Sequence, residues 1–230
     1  MSFNYSPKIV TNGLVLCLDA ANTRSYVSGS TTWNDLTGNF NNGTLTNGPT
    51  FNTGSLGSIV FDGADDYVSV TDTTILDIIE DKTLSCWVNF PSDANCGIVG
   101  KSSSATFGMA LGYGWGGNGF MALAWNSANA PYIAKDAGRD YGKWIYLNAV
   151  QLGNTRYIYV WDAQGLRTSS YSGGTHTWNN NVPLMIGNAN NGSNPSPSNT
   201  RISGVAAYNR ALSAQEILQN YNATKGRFGI

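Results

Sequence analysis

The stretch Thr155-Arg156-Tyr157-Ile158-Tyr159-Val160-Trp161-Asp162 decides the fold class. β-Branched and aromatic residues fill it, and its period is two. Tyr157, Tyr159 and Trp161 share one face, while Arg156, Ile158, Val160 and Asp162 share the other. Thr83–Phe90 repeats the pattern, with Leu84, Cys86, Val88 and Phe90 on one face and Ser85, Trp87 and Asn89 on the other. Strands apolar on both sides need cover on both sides, so more than one layer is expected.

Outward from these two runs the chain reads as short strands between tight turns. Five Asn-Gly pairs, at Asn12, Asn42, Asn47, Asn118 and Asn191, supply the positive φ angles that hairpin turns require. The remaining strand candidates are Leu14–Leu18, Ser58–Phe61, Tyr67–Val70, Gly97–Gly100, Phe107–Gly112, Phe120–Trp125, Lys143–Leu152, Pro183–Ile186 and Arg201–Tyr208. About eleven strands at this spacing indicate an all-β sandwich or barrel. One helix is predicted near the C-terminus. Ser213 and Glu216 have the spacing of a capping box, Leu212 and Ile217 that of a hydrophobic staple, and Ile217, Leu218 and Tyr221 form an apolar stripe. Gly29–Asn52 and Asn188–Asn199 read as loops, the first anchored by Trp33, Leu36, Phe40 and Leu45. No linker divides the 230 residues. The expected plan is an N-terminal arm over 1–13, one domain over 14–222 and a tail over 223–230.

Composition excludes several functions. A net charge of −1 lacks the basic footprint of nucleic-acid binding, and no apolar run is long enough for a membrane span. No basic start and apolar core mark a secretory signal. Cys17, Cys86 and Cys96 make an odd count, so at least one thiol is free; Cys17 and Cys86 read as small buried hydrophobes or, alternatively, as a bridge. With His176 alone and no paired-cysteine motif, zinc has no ligand set.

Four segments in order resemble the laminin-G-like, concanavalin-A-like family: Trp33–Asn39 with Asn42–Leu45; Ile59–Val68, which contains Phe61-Asp62-Gly63; Leu84–Val88 with Ile98–Lys101; and Tyr208–Ile217. Pro183–Asn188 is similar to the family's late strand. The resemblance implies a two-sheet antiparallel jelly-roll sandwich with one short C-terminal helix. Gly13–Asn22 and Asn220–Gly229 are similar to versions found in tailed-phage virion proteins. That implies a virion setting as capsid decoration or tail fibre, with other virion proteins as partners, a symmetric homo-oligomeric assembly, and host-surface glycan as a further partner. Arg201-Ile202-Ser203 lacks the carboxylate that many members carry there, and Tyr159–Gly165 is longer than the usual turn. Both departures weaken the transfer of a family calcium site.

Catalysis has little to stand on. Glycoside hydrolysis needs two carboxylates facing one bond, and the chain holds only Glu80 and Glu216 as glutamates, the second engaged by the helix cap. His176 reads as a turn residue, and no serine is marked as its partner. No cofactor is expected. Asp62, Asp65 and Asp66 around Gly63 suit either Ca²⁺ or a self-bonded turn. Sugar binding is the better prospect, because aromatic faces stack on sugar rings while amides give directional hydrogen bonds. The carbohydrate-binding candidates are Tyr113, Trp115 and Asn118 in a glycine-rich loop, Trp125 with Asn126, and Trp178 with Asn179; Trp33, Trp87, Trp144 and Trp161 read as core. The leading expectation is a non-enzymatic virion protein. A carbohydrate-binding module of a cellular protein and a jelly-roll hydrolase are the alternatives.

Overall fold

The computed structural model describes residues 8–92, 95–101, 108–114, 119–124, 132–134, 136–173, 181–188 and 199–230. In chain order its strands are β1 (Leu14–Asp19), β2 (Thr32–Trp33), β3 (Gly43–Thr46), β4 (Thr50–Asn52), β5 (Ser58–Phe61), β6 (Tyr67–Val70), β7 (Lys82–Asn89) and β8 (Cys96–Gly100). Then follow β9 (Met109–Tyr113), β10 (Phe120–Ala124), β11 (Tyr132–Ile133), β12 (Trp144–Leu152), β13 (Thr155–Asp162), β14 (Gly165–Ser172), β15 (Leu184–Ile186) and β16 (Thr200–Tyr208). A short helix α1 (Ala137–Asp140) precedes β12, and α2 (Ala214–Thr224) follows β16.

The strands form two antiparallel sheets. One runs β14-β13-β12-β7-β16-β5-β4, with β1 also paired to β16; the other runs β11-β10-β9-β8-β15-β6-β3-β2. The period-two reading explains the layering. Leu84, Cys86 and Val88 of β7, Leu147 and Ala149 of β12, and Ile158 and Val160 of β13 face inward. They meet Val68, Val70, Ile98, Leu111, Leu184 and Ile186 of the opposite sheet. Every one of these side chains is almost wholly removed from water. At about 25 cal/mol per Å² this burial is the dominant favourable term of the fold.

The other face of the first sheet carries Trp87, Trp144, Tyr146, Tyr157, Tyr159 and Trp161, and α2 covers part of it. The capping box forms as the sequence predicts. Ser213 Oγ accepts the Glu216 N–H, and Glu216 Oε2 accepts the Ser213 N–H. Leu212 and Ile217 are buried as the staple requires. Val10 and the C-terminal segment join this layer. Val10 donates its N–H to Asn220 Oδ1 at 2.7 Å, and Tyr208 Oη donates to the Val10 carbonyl. The Phe228 ring packs, tilted, with its centroid 4.2 Å from that of Trp87 and 4.6 Å from that of Trp144. Residues 8–13 and 223–230 are therefore packed against the sandwich rather than extended from it.

The expected loop Gly29–Asn52 is the largest departure in secondary structure. It contains β2, β3 and β4, too short and polar to show a period. Trp33 and Leu45 anchor it as predicted, whereas Phe40 does not; its ring stands 82% exposed. The polar edge strand β14 and the two-residue β11 were also missed. Cys17 pairs in register with Ala206, and Cys86 with the adjacent Val205. Neighbouring residues of a strand point to opposite faces, so the two thiols lie on opposite sides of the sheet. All three cysteines are free, which settles the bridge against itself.

Candidate functional site

A recess lies at the corner where the chain passes from one sheet to the other. Loop 26–31 forms one wall, and the β3–β4 connection forms the second. The space between them is about 530 Å³, within the range of small-ligand sites. Its floor is aromatic. The Tyr26 and Phe51 rings stand 5.2 Å apart at 37°. Tyr26 is fixed, buried to 4% exposure with its hydroxyl donating to the Ser30 carbonyl at 2.9 Å. Phe51 is half-buried and packs against the core at this corner. Exposed Ser28, Thr31, Asn47 and Thr50 line the rim. An apolar floor under hydroxyl and amide groups matches the two kinds of surface that a sugar ring presents.

The walls are held by backbone bonds. Leu45 N–H donates to the Thr31 carbonyl at 2.8 Å, and Ser30 N–H to the Val27 carbonyl at 2.9 Å. Gly48 takes φ +109°, a turn conformation that L-residues rarely adopt. Asn47 Nδ2 then reaches 3.0 Å to the Asp65 carbonyl, tying the corner to the Asp62–Asp66 turn.

That turn is the one acidic cluster with metal-like geometry among the described residues. One carboxylate oxygen from each of Asp62, Asp65 and Asp66 lies within 4.8 Å of the others. The donor set is all oxygen, the type hard cations take. Two of the three carboxylates are already engaged locally. Asp62 Oδ1 accepts the Ala64 N–H at 2.8 Å, and Asp66 Oδ2 accepts the Asp62 N–H at 2.9 Å. Burial raises the Asp66 pKa, and the neighbouring Asp62 and Asp65 charges raise it further against that hydrogen bond.

Of the sequence-predicted sugar contacts, Tyr113 is the one that falls among the described residues, and its role is corrected. It is 1% exposed, with its ring 4.9 Å from Phe120 and 5.6 Å from Phe90. Its hydroxyl donates to Asp140 Oδ2 at 3.1 Å and shares a 2.9 Å bond with Tyr141. Burial, then the Tyr141 bond, pushes its pKa up. The alternation of β9 turns this ring inward, which the glycines following it in sequence conceal. Asp140 in turn accepts from Arg167 at 2.7 Å, and Arg139 holds Asp162 bidentately at 2.7 and 2.9 Å. This network fixes α1 and the β13–β14 turn; it is charge-balanced and structural. Trp115, Asn118, Trp125, Asn126, Trp178 and Asn179, like His176, lie outside the described residues. Trp33, Trp87 and Trp144 are buried as expected, and Trp161 is half-buried against α2.

Cys17 and Cys86 are not nucleophiles. Burial, then the Asp19 and Asp35 charges, pushes the Cys17 pKa up to about 12, and burial alone raises that of Cys86. Neither is a thiolate at neutral pH. A cavity of about 80 Å³ between β1, β16 and α2, beside Cys17 and Tyr146, suits a few waters rather than a sugar.

Sequence reasoning missed the corner groove, because Tyr26 and Phe51 are 25 residues apart in a segment without period. The pairing of β2 with β3, which leads into the Leu45–Thr31 bond, brings its walls together.

The fold is a two-sheet antiparallel jelly-roll sandwich of the concanavalin A-like type. The family comparison agrees: residues 62–218 match the Laminin G 3 family, described as the concanavalin A-like lectin/glucanases superfamily, and the chain belongs to it. No curated protein matches the chain. Among solved structures, Trypanosoma rangeli sialidase in complex with sialic acid is similar with a TM-score of 0.64 at 15% identity. The match covers 93% of this chain and 33% of the sialidase, so the chain spans about a third of that enzyme's length. Domain 4 of AbnA, a GH43 extracellular arabinanase from Geobacillus stearothermophilus solved with arabinotriose, gives a TM-score of 0.65 at 17% identity. There 91% of this chain and 98% of that domain are covered. The binding domain of botulinum neurotoxin serotype D gives 0.59 at 14%, covering 94% of this chain and 52% of that one. At these identities the likeness is one of fold.

Proposed function

We propose that the chain is a non-catalytic, lectin-like module that binds a neutral glycan in the corner groove between loop 26–31 and residues 45–51. The observation that carries this reading is the fixed Tyr26–Phe51 floor beneath a rim of hydroxyl and amide groups, open over about 530 Å³. Such a site binds without needing an acid or base. The arabinanase domain supports the reading as a domain-length relative in fold that was solved with a sugar bound.

Ion pairing of six of the fourteen side-chain carboxylates supports binding over turnover. Asp19 is paired with Arg227, Asp72 and Asp77 with Lys101, Asp140 with Arg167, Asp162 with Arg139, and Glu216 with Arg210. A carboxylate held in an ion pair is a poor general acid. Hydrolysis would need two free ones across a groove.

The virion setting rests on the similarity of Gly13–Asn22 and Asn220–Gly229 to phage versions. In that setting symmetric display would convert weak single-site affinity into avidity. Mass spectrometry of purified particles tests it: a fixed copy number per particle is expected, and absence from the particle refutes it. The binding reading itself is tested on the isolated chain by a glycan array followed by calorimetry. Phe51→Ala should weaken the interaction about tenfold, the loss of one stacked ring, while leaving folding intact. Unchanged affinity would refute the groove assignment. The sequence-derived positions Trp115, Trp125 and Trp178 belong to the same test as separate alanine variants.

A further inference from the structure

The loop joining β2 to β3 holds Phe40 in a state that its own chemistry resists. The ring is 82% exposed, and the backbone takes φ +58°. That is the left-handed region, which a bulky L-residue rarely enters and glycine enters freely. Burial would be the usual compensation for such strain, and Phe40 has none.

The loop is not loose. The Asp35 carboxylate accepts four bonds: from the Cys17 N–H at 2.9 Å, the Thr37 N–H at 3.1 Å, the Thr37 hydroxyl at 2.7 Å and the Asn41 N–H at 3.2 Å. Asn42 Oδ1 accepts the Asp35 N–H at 2.8 Å. The side-chain amides of Asn39 and Asn41 both donate to the Val15 carbonyl at 3.0 Å. The Thr73 hydroxyl donates to Asn41 Oδ1 at 2.9 Å. The surroundings over-determine this backbone, which is how strained residues persist, and such residues cluster at ligand-contacting sites.

We propose that Phe40 is a stacking platform for one ring of a neutral glycan, a second contact beyond the corner groove. This rests on the glycan-binding reading above and adds a residue to it. Three features select a sugar. The ring offers a flat apolar face to water. The other exposed residues of the loop, Asn34, Gly38 and Asn39, are polar or without a side chain, so the loop itself adds no apolar neighbour to the ring. The loop's one charge, the half-buried Asp35 carboxylate, is turned onto four donors of the loop and β1 rather than toward a ligand. The groove and Phe40 sit at opposite ends of the β2–β3 hairpin. Four residues of β3 separate them, on the order of 13 Å at about 3.3 Å per residue. At that separation a monosaccharide can meet only one of the two contacts, and reaching both takes an extended oligosaccharide.

The test compares Phe40→Gly, Phe40→Ala and Phe51→Ala with the unmodified chain. Each is titrated with a panel of neutral arabino-, xylo- and gluco-oligosaccharides and their monosaccharides, and each is melted. Both Phe40 variants should weaken oligosaccharide binding about tenfold, the loss of one stacked ring, and leave monosaccharide binding unchanged. Phe40→Gly should melt at or above the temperature of the unmodified chain, because glycine accepts the left-handed backbone. Full oligosaccharide affinity in both Phe40 variants, with Phe51→Ala impaired, would overturn this proposal and leave the groove standing. A joint fall in melting temperature and affinity would mark Phe40 as a structural residue and also overturn it. If the unmodified chain binds no member of the panel, both readings fall together.

Discussion

Replacing Glu216 by Gln isolates one charge that pins α2 to the sandwich. Arg210 grips this carboxylate with two bonds, Nη1 to Oε2 at 3.0 Å and Nη2 to Oε1 at 2.5 Å. The Arg210 bonds, aided by the Ser213 N–H, bring the Glu216 pKa down from 4.5 to about 2. At about 1.4 kcal/mol per unit, that displacement would be worth about 3 kcal/mol. The two side chains are 27% and 30% exposed, so solvent screening reduces the figure to about 1–2 kcal/mol. The folded state lowers this pKa, so the stabilisation is complete above about pH 4.5 and fades as pH falls toward 2. Glutamine retains the shape and a capping oxygen but not the charge. In a chain of this size the loss should lower the melting temperature by about 2–8 °C at pH 7. The assay is thermal denaturation of both proteins from pH 7 to pH 2.5. The deficit of the Gln variant should shrink steadily across the acid range. Equal stability at pH 7, or a deficit independent of pH, would refute the reasoning.

Other outcomes follow from the same geometry. Gly187 has φ +82°, and a Cβ there would sit 2.3 Å from the Phe61 ring. Gly187→Ala should therefore destabilise by about 2–5 kcal/mol, read by chemical denaturation, because backbone strain and overpacking add. Thiol reductants should leave the melting temperature unchanged, since Cys17 and Cys86 face opposite sides of the sheet; a drop under reduction would show a bridge. Millimolar Ca²⁺ should also leave it unchanged, because Asp62 and Asp66 already bond their own turn. A rise that Asp66→Asn abolishes would establish a calcium site there. Tyr113→Phe should lower stability by about 1–2 kcal/mol without altering sugar affinity, since its hydroxyl serves the buried Asp140 network.

The sandwich was readable in the sequence because its central strands alternate strictly. Thr83–Phe90 and Thr155–Asp162 print their two faces directly, and the register places those faces in the two clusters that the alternation implies. The C-terminal helix was equally legible, because a capping box and a staple are local codes. Gly29–Asn52 was not. Its strands of two to four residues are too short for a period, and their pairing is dictated by β5 and β6 further along the chain. The groove is hidden for the same reason, since Tyr26 and Phe51 lie on either side of the short β2–β3 hairpin and meet only in the folded chain. Phe40 misled in another way. A large aromatic in a polar loop reads as an anchor, and only its backbone angle and exposure show the opposite. Tyr113 failed by context, as flanking glycines suggested an open loop while strand alternation sent the ring inward.

The central claim is that a rigid two-sheet scaffold binds glycan at its corner and leaves it intact. Backbone amide chemical-shift mapping during titration with an array-selected oligosaccharide tests it most directly. The account predicts shifts concentrated in residues 26–31 and 45–51, extending to 37–42 for longer ligands, and sugar resonances that stay unchanged over days. Shifts confined to other loops, or new reducing-end signals from a cleaved ligand, would contradict it.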